Sequence, residues 1–355
     1  MFGQLKPSLM ATLIVALAMG LFGVSSAPAE AAETPITIVD SAGRVVELPY
    51  PLERVIVLNP PAAEVMRAIG ATDRIIGISG SLARPDYWPE LSRLPQVARF
   101  AHAEPDYEKI IELSPQAVIT YGTHPAIDVQ EIADALAPAG IKVVGMDCYK
   151  LDTLFKDITT LGTMFDKEAA AARLIVFFQD ILEVVEEKVA GLEPKDKPRV
   201  YGEHHGRDYL TFGPGSSWHE MIEMAGGINI FADMPMPYPE VDPEAVIERN
   251  PQVILKDTRR TPPMGYGVTD TAPIQAYIDE LTARPGWEAL DAVRDGRVYV
   301  LSPDLTAGPK KVIAIAYFAK VFHPELDLDP EAIFREYHET WQGVEHKGVF
   351  IWPEP

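Results

Sequence analysis

Cysteine is almost missing from this chain: Cys148 is the only one in 355 residues. That excludes an intramolecular disulfide framework and any cysteine-cluster zinc or iron–sulfur site. Basic residues are also scarce, with 31 Lys and Arg against 52 Asp and Glu and a formal net charge of −21. This sign opposes the counterion release that drives binding to nucleic acid, so no nucleic-acid partner is expected. The sequence has neither an H-E-x-x-H spacing nor a G-x-S-x-G turn, the short signatures of a zinc peptidase and of a serine hydrolase. TFGPGSSWHE sets serines beside a histidine, but a catalytic triad meets in space and not by adjacency. No catalytic residue is assigned, and a secreted metal-dependent hydrolase using Glu203, His204, His205 and Asp257 is kept only as an alternative.

What is present suits a globular protein long enough for two domains: 47% hydrophobic and 23% charged residues, with 32 prolines that fit many short connections. The start differs from the rest. Lys6 precedes an apolar run, LMATLIVALAMGLFGV, and the small-residue stretch SSAPAEAA follows. A basic start, an apolar core and an A-x-A end describe a signal peptide, here residues 1–31. No cysteine stands near its end to be acylated, so a soluble periplasmic protein is expected and not a lipoprotein.

Beyond that segment, short apolar runs alternate with helical patterns, the grammar of parallel sheets wrapped by helices. Strands are expected at 55–58, 75–79, 118–121 and 143–146, with helices at 61–69, 107–113, 129–136 and 153–164. The second half repeats this with strands at 200–203, 253–256 and 298–301 and helices at 218–224, 243–248 and 310–322. ITIVDSAGRVVELP reads as an opening hairpin. Between the halves, residues 167–190 contain neither Gly nor Pro, and Gly191 and Pro194 supply the stop. A helix of about 24 residues would be roughly 36 Å long, enough to bridge two lobes. The expected organisation is an α/β lobe at 33–165, a linker helix at 166–192, and an α/β lobe with a helical tail at 193–355. The fold class is therefore α/β, two Rossmann-like lobes joined by one rigid helix, with the ligand cleft between them.

The segments ERVIVLNPPAAEVMRAIGATDRIIGIS, EPDYEKIIELSPQAVITYG, TFGPGSSWHEMIEMAGGINIF and VDPEAVIERNPQVILKD, in this order around the long helix, resemble the helical-backbone class of periplasmic binding proteins for ABC importers. That class delivers ferric siderophores, haem, cobalamin and, in some members, molybdate or tungstate. The tail HPELDLDPEAIFREYHETWQGVEHKGVFIWP is similar to its iron-chelate branch. The resemblance implies a non-enzymatic, monomeric carrier without an intrinsic cofactor, whose partners are a small-molecule metal complex and the transmembrane subunits of the importer. It also implies that Glu108 and Glu244, one per lobe, dock onto those subunits. An oxyanion cargo, molybdate or tungstate, is the alternative within the same fold.

Ligands of open α/β sheets bind beyond the carboxyl ends of strands. In the first half this rule selects Asn59, Pro60, Ser79, Tyr121 and His124; in the second it selects His204, His205, Arg207, Tyr209, Lys256, Arg259 and Arg260, with Phe212 added from TFGPGSSW. Tyr121 offers a flat face to a chelate. His204 or His205 could fill one open position of a chelated metal, and this is preferred over a metal site built wholly from protein. Lys256, Arg259 and Arg260 form the densest basic run, a source of donors for carboxylates, catecholates or an oxyanion. The start of SSWHEM reads either as an anion niche or as ordinary capping.

Overall fold

The structure, a computed structural model, describes residues 35–259 and 261–355; the signal segment and Arg260 lie outside them. An antiparallel hairpin opens the described chain, β1 (Ile36–Val39) with β2 (Val45–Leu48). Asp40 holds its turn by accepting the amides of Ala42 and Arg44 and pairing with the Arg44 guanidinium at 2.8 Å. The first lobe is a parallel sheet of β3 (Val55–Val57), β4 (Ile75–Ser79), β5 (Gln96–Ala98), β6 (Ala117–Thr120) and β7 (Lys142–Gly145), in the order β5-β4-β3-β6-β7.

The second lobe contributes β8 (Arg199–Glu203), β9 (Ile228–Asn229), β10 (Val253–Asp257), β11 (Gly265–Tyr266), β12 (Val298–Leu301), β13 (Gly348–Val349) and β14 (Ile351–Trp352). Its sheet runs β14-β12-β10-β8-β9, parallel except for β14, and β11 pairs with β13 as a small ribbon. β3, β6 and β10 are buried along their whole length, as strands covered on both faces must be. The covering helices are α1 (Pro60–Ala68), α2 (Tyr107–Leu113), α3 (Val129–Leu136), α4 (Leu154–Met164), α5 (Glu168–Val189), α6 (Ser217–Met224), α7 (Pro243–Arg249), α8 (Ala272–Thr282), α9 (Asp291–Arg294), α10 (Pro303–Thr306), α11 (Lys311–Phe322) and α12 (Pro330–Glu336).

The lobes share a local device. EPDYEKIIELSPQAVI and EVDPEAVIERNPQVIL each begin a helix on an Asp cap, Asp106 before α2 and Asp242 before α7. Each helix ends on a left-handed residue ahead of a proline, Ser114 at φ 49° and Asn250 at φ 42°. The glutamine after that proline then accepts amide protons next to the neighbouring strand: Gln116 from Arg54 and Gln252 from Arg199. Glu108 and Glu244 therefore occupy equivalent, exposed positions in the first turn of equivalent helices.

α5 joins the halves. Its 22 residues give about 33 Å of helix. Ala171, Leu174, Phe178, Ile181 and Val185 are its buried residues, alternating three and four apart, which makes one apolar stripe. The stripe belongs to an apolar cluster that runs from Val55 and Val57 in one sheet to Val253 and Leu255 in the other. The tail adds a second crossing, with Phe177 of α5 facing Tyr337 and Trp341 beyond α12 at 6.4 and 5.4 Å between ring centroids. A buried ion pair, Glu64 of α1 with Lys310 before α11, and a two-pronged pair of Arg84 with Asp304 at 2.7 and 2.8 Å complete the junction. Burial pushes the Glu64 carboxyl up although Lys310 opposes it.

Glu203 at the end of β8 is fully buried and receives Lys256 at 2.7 Å, both Arg284 nitrogens at 2.7 and 3.1 Å, the Tyr201 hydroxyl at 2.9 Å and the Tyr209 amide at 3.2 Å. Burial works to raise this carboxyl, yet the hydrogen bonds and charges of Arg284 and Lys256 bring it below the usual carboxylate range. Its stabilisation is thus present above the ordinary carboxylate pKa and is lost as pH falls through the lowered one. Glu203→Gln leaves Lys256 uncompensated and Arg284 with Asp208 alone, and is expected to cost about 3 kcal/mol in urea unfolding at pH 7. A loss under about 1 kcal/mol would contradict the network's role.

Candidate functional site

The candidate residues stand at the carboxyl ends of the two sheets. After β6 the chain presents Tyr121 and His124, and after β7 it presents Tyr149. Asp147, almost fully buried, fixes the first loop by accepting the amides of Gly122 and Thr123 at 2.9 and 3.0 Å, together with the Thr123 hydroxyl. The two loops touch at glycines, since a Cβ on Gly145 would lie 2.6 Å from Gly122 Cα. The result is an aromatic row. His102 stacks on His124 at 5.6 Å, His124 lies 5.2 Å from Tyr121, and Tyr121 meets Tyr149 edge-on at 5.7 Å. Burial raises the Tyr121 hydroxyl beyond its ordinary range and moves Tyr149 to about 12, so both remain protonated donors at neutral pH.

In the second lobe the candidate residues begin where β8 ends. His204 and His205 have ring centroids 4.0 Å apart, and His204 also lies near Phe212 and Tyr238 at 5.6 and 5.8 Å. The donor atoms of His204, His205 and Asp257 fall within 4.8 Å of one another, the one group of metal-ligand type found among the described residues. Their hydrogen bonds divide the work. The Gly206 amide donates to His204 Nδ1 at 2.9 Å, which places the proton of the neutral ring on Nε2 and makes that edge a donor. Asp257 Oδ2 lies 2.7 Å from His205 Nδ1, so that nitrogen carries the proton and Nε2 of the neutral ring keeps its lone pair. Holding a bare ion on all three would require His204 to give up either its Nε2 proton or its bond from the Gly206 amide, while the His205–Asp257 bond could persist. One imidazole lone pair offered to a metal already chelated requires neither change.

Other expected contacts are corrected by burial. Asn59 caps α1 and donates to the Met146 carbonyl, and Ser79 donates to the Leu58 carbonyl at 2.7 Å; both are fully buried, so neither reaches a ligand. Pro60 is the first residue of α1. Lys256 is spent on Glu203. Tyr209 turns to Trp287 and lies under the Arg284 guanidinium, on the far apolar cluster of the second lobe. Phe212 is nearly fully buried and stacks on Trp218 at 4.5 Å, supporting the His204 wall from behind. Arg207 pairs with Glu240 at the surface. Arg259 is exposed, and its charge reaches His204. Ser216 caps α6 in the ordinary way, accepting the His219 amide at 3.2 Å. The sequence reading overlooked Tyr149, Tyr238 and Lys311. The strand-end rule selects Tyr149 as readily as Tyr121; Tyr238 sits in a proline-rich loop with no strand ahead of it, and Lys311 reads as an ordinary helix start. A cavity of about 490 Å³ under the tail is separate, and two of its acids are committed: Glu331 to Tyr317 and His346, Asp329 to capping α12.

The Periplasmic binding protein family matches residues 55–305. An uncharacterized ABC transporter substrate-binding lipoprotein of Bacillus subtilis, YvrC, is 24% identical over 82% of this chain and 86% of its own length. The vitamin B12-binding protein of Vibrio cholerae is 29% identical over 58% of this chain and 71% of its own. The crystal structure of the TroA-like periplasmic binding protein FepB from Veillonella parvula superposes with a TM-score of 0.75 at 25% identity, covering 89% of this chain and 99% of that one.

Desolvation and the neighbouring His205 lower His204 to about 4. Nitrogen-resolved NMR of the imidazoles is expected to show His204 neutral, with its proton on Nε2, from pH 8 to 5 and charged only near pH 4. Titration at the ordinary value of about 6.5 would refute this assignment.

Proposed function

Since this chain belongs to the periplasmic binding protein family, a family of substrate-binding proteins and not of enzymes, we propose that it captures a metal chelate, a ferric siderophore or a corrinoid-like complex, and delivers it to an ABC importer. The observation that supports this reading is a pair of aromatic and imidazole groups at the sheet ends, Tyr121, His124 and Tyr149 in one lobe and His204, His205 and Tyr238 in the other, with one imidazole lone pair on His205. Flat, stiff rings bury a broad ligand at low entropic cost. One lone pair completes the coordination of a metal whose other positions the chelator holds. The B12 cargo of the Vibrio cholerae relative is of this class. A hydrolase is disfavoured by the same contacts, because Glu203 is saturated by four side-chain and backbone partners.

In this reading the protein works in the periplasm as a monomer, with lobes 33–165 and 193–355 and a linker at 166–192. It is read as not a lipoprotein, because no cysteine stands near the end of the apolar run to be acylated. Glu108 and Glu244, equivalent and exposed, seat the two lobes on the transmembrane subunits. Such contacts act through steering and register more than through affinity.

Native mass spectrometry with elemental analysis of protein taken from its own periplasm should find iron or cobalt at one equivalent in an unaltered complex. Chemical conversion of the complex would sink the proposal. In isothermal titration, Tyr121→Ala or Tyr149→Ala should weaken that complex about tenfold each. Charge reversal at both Glu108 and Glu244 should lower cellular uptake while leaving the dissociation constant unchanged; full uptake by the double variant would place the docking surface elsewhere.

A further inference from the structure

Lys311 is the first residue of α11, and only 8% of it is exposed. Its ammonium donates to the Tyr149 carbonyl and to Ser217 Oγ, each at 2.9 Å, and lies 5.2 Å from the Tyr149 ring. Both hydrogen-bond partners are uncharged. This sets it apart from Lys256 and Lys310, the other deeply buried lysines, each of which holds a carboxylate. An ammonium has three donors, and two are used.

Neither of the carboxylates near it, Glu220 and Asp257, is among its hydrogen-bond partners. A lysine in the first turn of α11 adds to the positive end of that helix's dipole instead of offsetting it. Ser217 is the first residue of α6, so a second helix start faces the same ammonium. Two helix starts and a buried cation meet without a carboxylate in hydrogen-bond contact, and burial moves Lys311 down to about 8 although the more distant charges of Glu220 and Asp257 oppose it. Such an arrangement is costly when empty and favourable once an anion enters. The two partners come from opposite lobes and are both partly exposed, and Tyr149 is itself part of the aromatic row.

We infer that Lys311, with the start of α6, is the anion receptor of the cleft, and that the cargo carries an anionic oxygen group, a carboxylate or catecholate, to it. This rests on the chelate-capture reading and narrows it to negatively charged complexes. The anionic oxygens of a free oxyanion share the same chemistry, and the test separates the two sources.

Isothermal titration of the full mature chain would compare ferric citrate and ferric tris-catecholate, both anionic, with cyanocobalamin, which is neutral overall, and with molybdate. Wild-type protein should bind at least one anionic chelate more tightly than cyanocobalamin, and Lys311→Met should weaken that chelate about tenfold or more while Lys311→Arg keeps most of the affinity. If Lys311→Met does not accumulate folded, Lys311→Gln serves in its place. Chelate binding unchanged by loss of the charge overturns the inference, as does a wild type that binds only cyanocobalamin, which leaves the chelate reading standing. Lys311-dependent binding of molybdate alone overturns the chelate reading and retains the anion receptor. A wild type that binds none of the four overturns both.

Discussion

The meeting of Glu64 and Lys310 at the junction of the lobes is the contact on which the cleft depends. Both side chains are buried, and they belong to opposite halves of the chain, on α1 and just ahead of α11. Removing either partner from the closed fold would leave the other charge in a poorly solvating interior, a cost of about 3 to 5 kcal/mol. The Arg84–Asp304 pair, the Tyr87–Tyr266 contact and the Gln342 amide on the Glu64 carbonyl lie at the same junction. The apolar stripe of α5 makes the two sheets share one core. The distance between the walls is therefore set by a continuous packed body and not by a flexible linker. A site of this kind selects by shape already present, with small closing motions.

Much of the architecture is legible in the residues because parallel strands covered on both faces must be apolar throughout. β4 and β12 fall on the expected 75–79 and 298–301 without adjustment, and α2 and α3 fall on 107–113 and 129–136. Elements without that signal escape notice. β9 and β14 are two residues long at the edges of their sheet, where pairing is decided by a neighbour far away in sequence. α8 was readable and missed: Ile274, Ile278 and Leu281 stand at helical spacing behind a proline at the helix start. The long helix was expected as a bare rod. Its stripe of Ala171, Leu174, Phe178, Ile181 and Val185 shows why it is instead part of the core.

The site divides along similar lines. The rule that ligands gather beyond strand ends finds Tyr121, His124, His204 and His205, because backbone topology alone puts them there. It fails where a side chain's partner decides its direction. Lys256 stands at such an end, but β8 runs alongside and brings Glu203 to it. Asn59 and Ser79 are consumed by the carbonyls that the strand ends leave unpaired. The positive φ of Tyr209, 60°, carries its ring away to Trp287. None of these partners is a near neighbour in sequence, apart from the glutamate six residues before Tyr209.

The charge of the whole chain misleads about the charge of the cleft. A formal charge of −21 suggests that an anion would be repelled, yet salt screens exposed charges beyond about 8 Å at physiological ionic strength. What an entering ligand meets is then set by groups within that distance and by whether they are already neutralised. Glu203 and Asp208 together offset Lys256 and Arg284, and Glu64 offsets Lys310, so these buried cations contribute structure and little field. Asp257 is drawn to His205. What remains is one lysine ammonium on uncharged partners with Asp257, Glu220 and Lys150 as its more distant charges, an exposed Arg259, and a histidine edge that donates. In a strongly acidic protein, the local potential of the groove is decided by which few cations the fold has left unpaired.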